Sequence, residues 1–224
     1  VILMMNPGNE GGQLISPSLL AMTALDAAPR LLGQTLVRET EDGEIRCRIV
    51  ETESYGGAED KGSHAYGNRR TARTETMFAA GGLAYVYLIY GMYHCVNVVV
   101  GDADDPQAVL IRAVEPLSGH DAELMRRYRG SVSGKAANLC NGPGKLCRAL
   151  RIDRSLNGCA LGHADSPLRL ESGDRVDEFP IIQAPRINID YAEEYALKPW
   201  RFYIDGHPYV SVKAPEPLPF SLRG

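Results

Sequence analysis

Between Glu51 and Asn97 the chain gathers side chains suited to acid–base chemistry on a flat ligand. Glu51 and Glu53 lie two apart in Ile49-Val-Glu-Thr-Glu-Ser-Tyr55, a run that reads as a strand, so both carboxylates project from one face. Tyr55 shares that parity. Carboxylates on a sheet face are unusual unless paired or used, although Glu51 reads equally well as a solvated edge residue. Tyr85, Tyr87, Tyr90 and Tyr93 then place four tyrosines within nine residues. They form either an ordinary aromatic sheet face or a stacking platform, on which each base gains about 1–3 kcal/mol. Asn97 falls at the inward parity of the following strand, where an amide can read a base edge. His64, taken alone, reads as a surface histidine on a loop.

The elements around these residues are legible from turn and cap signals. Ser16-Pro17 caps a helix, with Pro29 ending or restarting it and Gly33 a plausible stop. Strands are expected over Thr35–Glu39 and Ile45–Glu53 around the Asp42-Gly43 turn, then over Leu83–Tyr90 and Tyr93–Val100 around Gly91. A further strand is expected over Ala108–Val114, a helix from Pro116 to Arg129, and a short helix from Gly142-Pro-Gly-Lys145 to Leu150. A last hairpin pairs Arg201–Ile204 with Tyr209–Lys213 across Asp205-Gly206. Residues 56–76 form a connector too long to be idle. The fold class is α+β, with residues 1–15 a flexible leader and 16–224 one domain whose sheet is mainly antiparallel.

Composition narrows the functional classes. At 224 residues and 44% apolar content the chain can bury a substantial core. It shows neither a membrane-spanning run nor a signal pattern, so an intracellular protein without membrane association is expected. The five cysteines are odd in number and scattered, which suits reduced, partly buried thiols better than disulfides or zinc. The net charge of −4 argues mildly against a nucleic-acid partner, yet Asn68-Arg-Arg-Thr-Ala-Arg73 and Met125-Arg-Arg-Tyr-Arg129 concentrate arginine locally. Each cluster reads as a solvated face unless a phosphate partner is shown. No nucleophile elbow, zinc-deaminase signature or Walker spacing occurs, although Gly142-Pro-Gly-Lys145 suits an anion.

Taken in order, these segments resemble the alkyladenine (3-methyladenine) DNA glycosylases of the mammalian type, which are distinct from helix-hairpin-helix glycosylases. The resemblance rests on Leu32–Val37, Ile49–Tyr55, Tyr85–Tyr93 with Asn97, Val109–Pro116, Gly142–Cys147 and Lys198–Tyr203, and it runs from about residue 17 to 213. It implies a curved, open-barrel-like antiparallel sheet surrounded by helices. It also implies a monofunctional enzyme that flips damaged purines from double-stranded DNA and hydrolyses the N-glycosidic bond. By the same resemblance Glu53 is the general base, and Arg112 and the backbone carbonyl near Ile187 hold its water. Tyr55, His64 and Tyr87 clamp the flipped base, and Asn97 crowds the 2-amino group of guanine. Tyr90 is the wedge in the base stack with Met92 nearby, while Arg69, Thr71, Arg73 and Lys145 meet phosphates. No cofactor or metal is implied, and a monomer is expected. The matched segments that carry the base and its carboxylate, Ile49–Tyr55, Tyr85–Asn97 and Val109–Pro116, hold no lysine, which disfavours a Schiff-base, strand-cleaving route.

Two other classes stand beside this reading. A non-catalytic lesion binder would need neither Glu53 nor Arg112 and would release no base. A nucleosidase for free purine nucleosides would leave Tyr90 and the arginines without purpose and would turn over free inosine.

Overall fold

The computed structural model describes residues 12–222. In chain order it comprises α1 (Pro17–Leu20), α2 (Ala24–Arg30), β1 (Thr35–Thr40), β2 (Gly43–Tyr55), β3 (Ala84–Ile89), β4 (Tyr93–Val100) and β5 (Gln107–Pro116). These are followed by α3 (Gly119–Arg129), α4 (Pro143–Ala149), β6 (Leu168–Glu171), β7 (Ile181–Ala184), β8 (Arg201–Ile204) and β9 (Leu218–Phe220). All nine strands join one antiparallel sheet in the order β3-β4-β5-β2-β8-β7-β9, with β1 pairing both β2 and β6. Length makes β2 the hinge of this arrangement. Along one edge its first half pairs β1 and Glu51–Glu53 pair β8, while the other edge pairs β5 from Cys47 to Tyr55.

The sequence explains the element ends. The Ser16 and Thr23 side chains accept hydrogen bonds from Ser18 N–H and Asp26 N–H, so the expected first helix is two helices broken at Thr23. Pro29 sits inside α2, near its end, rather than terminating it. Ser118 caps α3, which starts after β5 has run through Pro116. Tyr209–Lys213 forms no strand; β8 pairs with β7 instead. Buried charges claim that segment's backbone: Ser211 N–H donates to Glu51, and Val212 C=O accepts from Arg201. Residues 1–11 of the expected leader lie outside the described residues. Leu14 and Ile15 are already tied to β6, Ile15 N–H donating to Leu170 C=O at 3.0 Å.

The main core lies between one sheet face and the four helices, where Ile45, Cys47, Ile49, Val86, Val96, Val98, Val109 and Ile111 pack with Ala27, Leu31, Met125 and Leu146. Each fully buried large aliphatic side chain contributes about 1.5–3 kcal/mol. The alternation along β2 changes phase midway. Ile45, Cys47, Ile49 and then Val50 all join the core, and Thr52 donates to Ala28 C=O of α2. The pairing with β5 is irregular on both sides of Glu51. Such an irregularity turns the strand, so odd positions face the core before it and the opposite face after it. Glu51, Glu53 and Tyr55 thereby reach the face away from the helices.

Candidate active site

The strand register sets Tyr85 opposite Asn97, Asn97 opposite Leu110, Leu110 opposite Glu53, and Glu53 opposite Arg201. Directly paired residues share a face, so this row crosses five strands on the side away from the main core. Above it opens a cleft of about 1120 Å³. Its lining includes Tyr55, His64, Arg69, Thr71, Arg73, Tyr87, Tyr90, Asn97, Arg112 and Lys145, so the structure brings together ten of the twelve expected site residues. Met92 is 68% exposed next to Tyr90 and does not line the cleft.

Glu53, the remaining one, lies fully buried at the back of the cleft. Oε1 accepts from Ile187 N–H at 2.8 Å and lies 3.3 Å from Arg112 Nη1, while Oε2 accepts the Tyr55 hydroxyl at 2.8 Å. The Ile187 contact with Glu53 is thus made by its N–H. A carboxylate offers about four acceptor positions, so one remains, on Oε2. Burial, then the neighbouring Glu53, raises the Tyr55 pKa well above its ordinary value. The phenol therefore stays protonated and keeps donating. Burial alone would lower the Arg112 pKa, but Glu53 and Glu51 outweigh it and raise it.

Glu51 is no solvated edge residue. It is fully buried and lies 3.3 Å from Arg112 Nε and 2.9 Å from Arg201 Nη1, and it accepts Ser211 N–H at 2.7 Å. Two carboxylates and two guanidiniums therefore balance in the sheet face, as buried charge requires. Sequence reasoning missed Arg201, whose only signal was a charged residue opening an otherwise apolar strand.

The aromatic wall grows from β3 and the long connector. The His64 ring meets Tyr87 edge-on at 4.5 Å between centroids, and its Nδ1 lies 3.0 Å from the Tyr85 hydroxyl. Burial, then the Arg73 charge, lowers the His64 pKa to about 4, so the imidazole is neutral near pH 7. Asn97 Nδ2 donates to Tyr85 C=O at 3.0 Å, which fixes the amide's orientation. At the β3–β4 tip, Met92 N–H donates to Ile89 C=O across Tyr90 and Gly91, which have φ of 53° and 69°. This turn needs positive φ at both central positions, and Tyr90 meets it without being glycine, leaving its side chain 72% exposed.

Cations ring the mouth. Arg73 sits 5.3 Å from the Tyr87 ring centroid, and Arg69, Lys61, Arg129, Lys145 and Arg148 also line the cleft. Arg70, by contrast, pairs with Glu75 and Asp104 and lies outside the lining. The Met125–Arg129 stretch is not simply a solvated face: Met125 is core, Arg127 pairs with Asp42, and Arg129 reaches the cleft. Besides the expected Lys145, the cleft holds Lys61, which lies outside the matched segments. Glu193 and Glu194 engage Lys61 and raise its pKa, and Lys145 donates to Asn141 Oδ1 at 2.7 Å.

The sequence pattern of the family described as Methylpurine-DNA glycosylase (MPG) matches residues 18–208. The chain belongs to that family. Membership makes it a DNA N-glycosylase, a hydrolase of base excision repair whose substrate is DNA carrying damaged bases. Among its relatives, a protein of Natranaerobius thermophilus named "Putative 3-methyladenine DNA glycosylase" is 52% identical over 189 residues, covering 84% of this chain and 94% of its own length. Proteins of the same name from Bacillus cereus and Bacillus thuringiensis are each 49% identical over 201 residues, covering 88% of this chain and 98% of theirs. No helix among the described residues is long and apolar enough to cross a membrane.

Proposed function

We propose that this glycosylase flips alkylated and deaminated purines out of duplex DNA and hydrolyses their N-glycosidic bond with water activated by Glu53. The substrate class comprises 3-methyladenine, 7-methylguanine, hypoxanthine and ethenoadenine. The observation that carries the reading is the placement of Glu53 behind an aromatic cleft, held by three donors and keeping one acceptor position.

As the base departs, positive charge builds on the sugar, and a buried carboxylate nearby stabilises it electrostatically. Glu53 takes a proton from water as the oxygen attacks the anomeric carbon, and Arg112 keeps the carboxylate aimed. The purine leaves with the bonding electron pair. A base alkylated at ring nitrogen already carries positive charge and departs neutral, so it needs little further help. Tyr55, His64 and Tyr87 stack on the flipped base, and Asn97 crowds a guanine 2-amino group. Tyr90 fills the gap in the duplex, offsetting an unstacking cost of a few kcal/mol. Arg69, Thr71, Arg73 and Lys145 hold phosphates, which gives the acidic protein a local cationic seat. Strand cleavage is not expected, because both lysines lining the cleft are engaged elsewhere, Lys61 by Glu193 and Glu194 and Lys145 by Asn141.

The test is single-turnover base release from a duplex with one hypoxanthine, wild type beside Glu53→Gln, with alkali revealing abasic sites. Wild type should yield alkali-dependent cleavage, and the variant should be slower by about 10²–10⁴-fold. Full activity in Glu53→Gln refutes the general-base role. Lesion-dependent binding with no release by wild type would make the protein a reader of damage.

A further inference from the structure

We propose that Asp60 and Arg186 form a buried strut that positions Glu53 and both flanks of the aromatic clamp. This inference rests on the glycosylase reading and names residues to which that reading gives no role. Both side chains are fully buried and joined by two hydrogen bonds of 2.6 and 2.7 Å. Taking two charges out of water is costly, and an apolar pair of similar volume often stabilises as well or better. Stability alone therefore accounts poorly for an ion pair at this depth.

The pair's other contacts show what it holds. The Arg186 guanidinium lies 4.6 Å from the Tyr55 ring centroid and 5.1 Å from that of Trp200, and it donates to Ser54 C=O at 2.9 Å. It thus supports the strand and the ring whose hydroxyl binds Glu53 Oε2. The next residue, Ile187, supplies the N–H that binds Oε1. One guanidinium consequently backs two of the three donors on Glu53. Asp60 performs the same service for the loop: it accepts Gly56 N–H at 3.1 Å and Gly62 N–H at 2.9 Å, and its own carbonyl accepts Ser63 N–H. That turn sets His64 opposite Tyr87. Asp60 and Arg186 do not themselves line the cleft; they lie behind lining residues such as Tyr55 and Gly62 and act through Glu53, Tyr55 and His64.

Gly62 offers a mild way to disturb the strut. A Cβ there would sit 2.8 Å from Arg186 Nη2, closer than any real contact, and would push the guanidinium aside. Misplacing a reacting group by about 1 Å can cost about 10²-fold in rate. Affinity for DNA should survive, because it comes mainly from phosphate contacts at the mouth. The experiment compares wild type, Gly62→Ala and Arg186→Lys in single-turnover release of hypoxanthine and in binding to the lesion duplex. Far-UV circular dichroism and a cooperative thermal transition confirm the native fold, since Trp200 lies against Arg186 and its emission would respond to the substitution itself.

The expected result is native circular dichroism and retained duplex affinity, with release slowed roughly 100-fold in Arg186→Lys and by a smaller factor in Gly62→Ala. If Arg186→Lys fails to fold, Gly62→Ala decides alone. Wild-type release rates in a folded Gly62→Ala, or a loss of affinity that matches the loss of rate, would overturn the strut and leave the glycosylase reading intact. Absence of release by wild type would overturn that reading, and the strut with it.

Discussion

Replacing Tyr55 by phenylalanine removes a single hydroxyl and leaves the ring in place against the Arg186 guanidinium, 4.6 Å away. That hydroxyl is the only donor on Glu53 Oε2, the oxygen with acceptor capacity to spare. A hydrogen bond to a charged group contributes about 1.5–3 kcal/mol. If all of it serves to aim the carboxylate, the loss corresponds to about 10- to 150-fold in rate at roughly 1.4 kcal/mol per tenfold. The assay is single-turnover release from a hypoxanthine duplex with enzyme in excess, beside equilibrium binding to a duplex holding a non-hydrolysable abasic-site analogue. Release should slow within that range while binding stays at the wild-type level, because the stacking surface is kept. An unchanged or faster rate would refute the claim that the Tyr55 hydroxyl positions Glu53. Weakened binding would instead show that the hydroxyl serves recognition.

Two further outcomes follow from the electrostatics. His64 should titrate near pH 4 by NMR in the folded protein, against an ordinary value of 6.5. Because its folded pKa is depressed, the stability it contributes is complete above pH 6.5 and is lost as pH falls towards 4, by roughly 3 kcal/mol. A folded-state titration near 6.5 would contradict the packing described for the imidazole. Replacing Arg69 and Lys145 together by alanine should weaken binding to any duplex and flatten the logarithmic salt dependence by roughly 2. An unaltered slope would remove those two side chains from the phosphate contacts.

Hairpin signals carried the fold well where turns were tight: Asp42-Gly43 and Gly91 marked β1–β2 and β3–β4 within a residue or two. The tail defeated the same logic. Asp205-Gly206 looks like a hairpin turn, yet the chain beyond it spends its backbone groups on Glu51 and Arg201, charges remote in sequence. Likewise β6, β7 and β9 are three or four residues long, too short to carry a period. The clustering of Glu53, Tyr55, His64, Tyr87 and Asn97 was legible because strand parity and family resemblance agreed. What parity alone misstates is the route. Ile45, Cys47 and Ile49 share the odd numbering of Glu53, and only the irregular pairing at Glu51 sends them to opposite faces. The adjacent apolar pair Ile49-Val50 was the visible trace of that switch. Asp60 and Arg186 left no local trace, because their 126-residue separation hides an ion pair that exists only in three dimensions.

The hairpin of β3 and β4 carries Tyr85 and Tyr87 on one strand, Asn97 on the other and Tyr90 at its tip. These groups are therefore spaced by strand rise, about 3.3 Å per residue, rather than by a flexible loop. On the proposed reading the hairpin works as a depth gauge: how far Tyr90 enters a duplex fixes how far an extruded base can travel towards Tyr87 and Asn97. Lengthening both strands by two residues would keep every side chain on its face yet move the tip outward by about 7 Å. Such an insertion would leave stacking chemistry and carboxylate untouched and still miscalibrate the instrument, separating the reach of the protein from its reactivity.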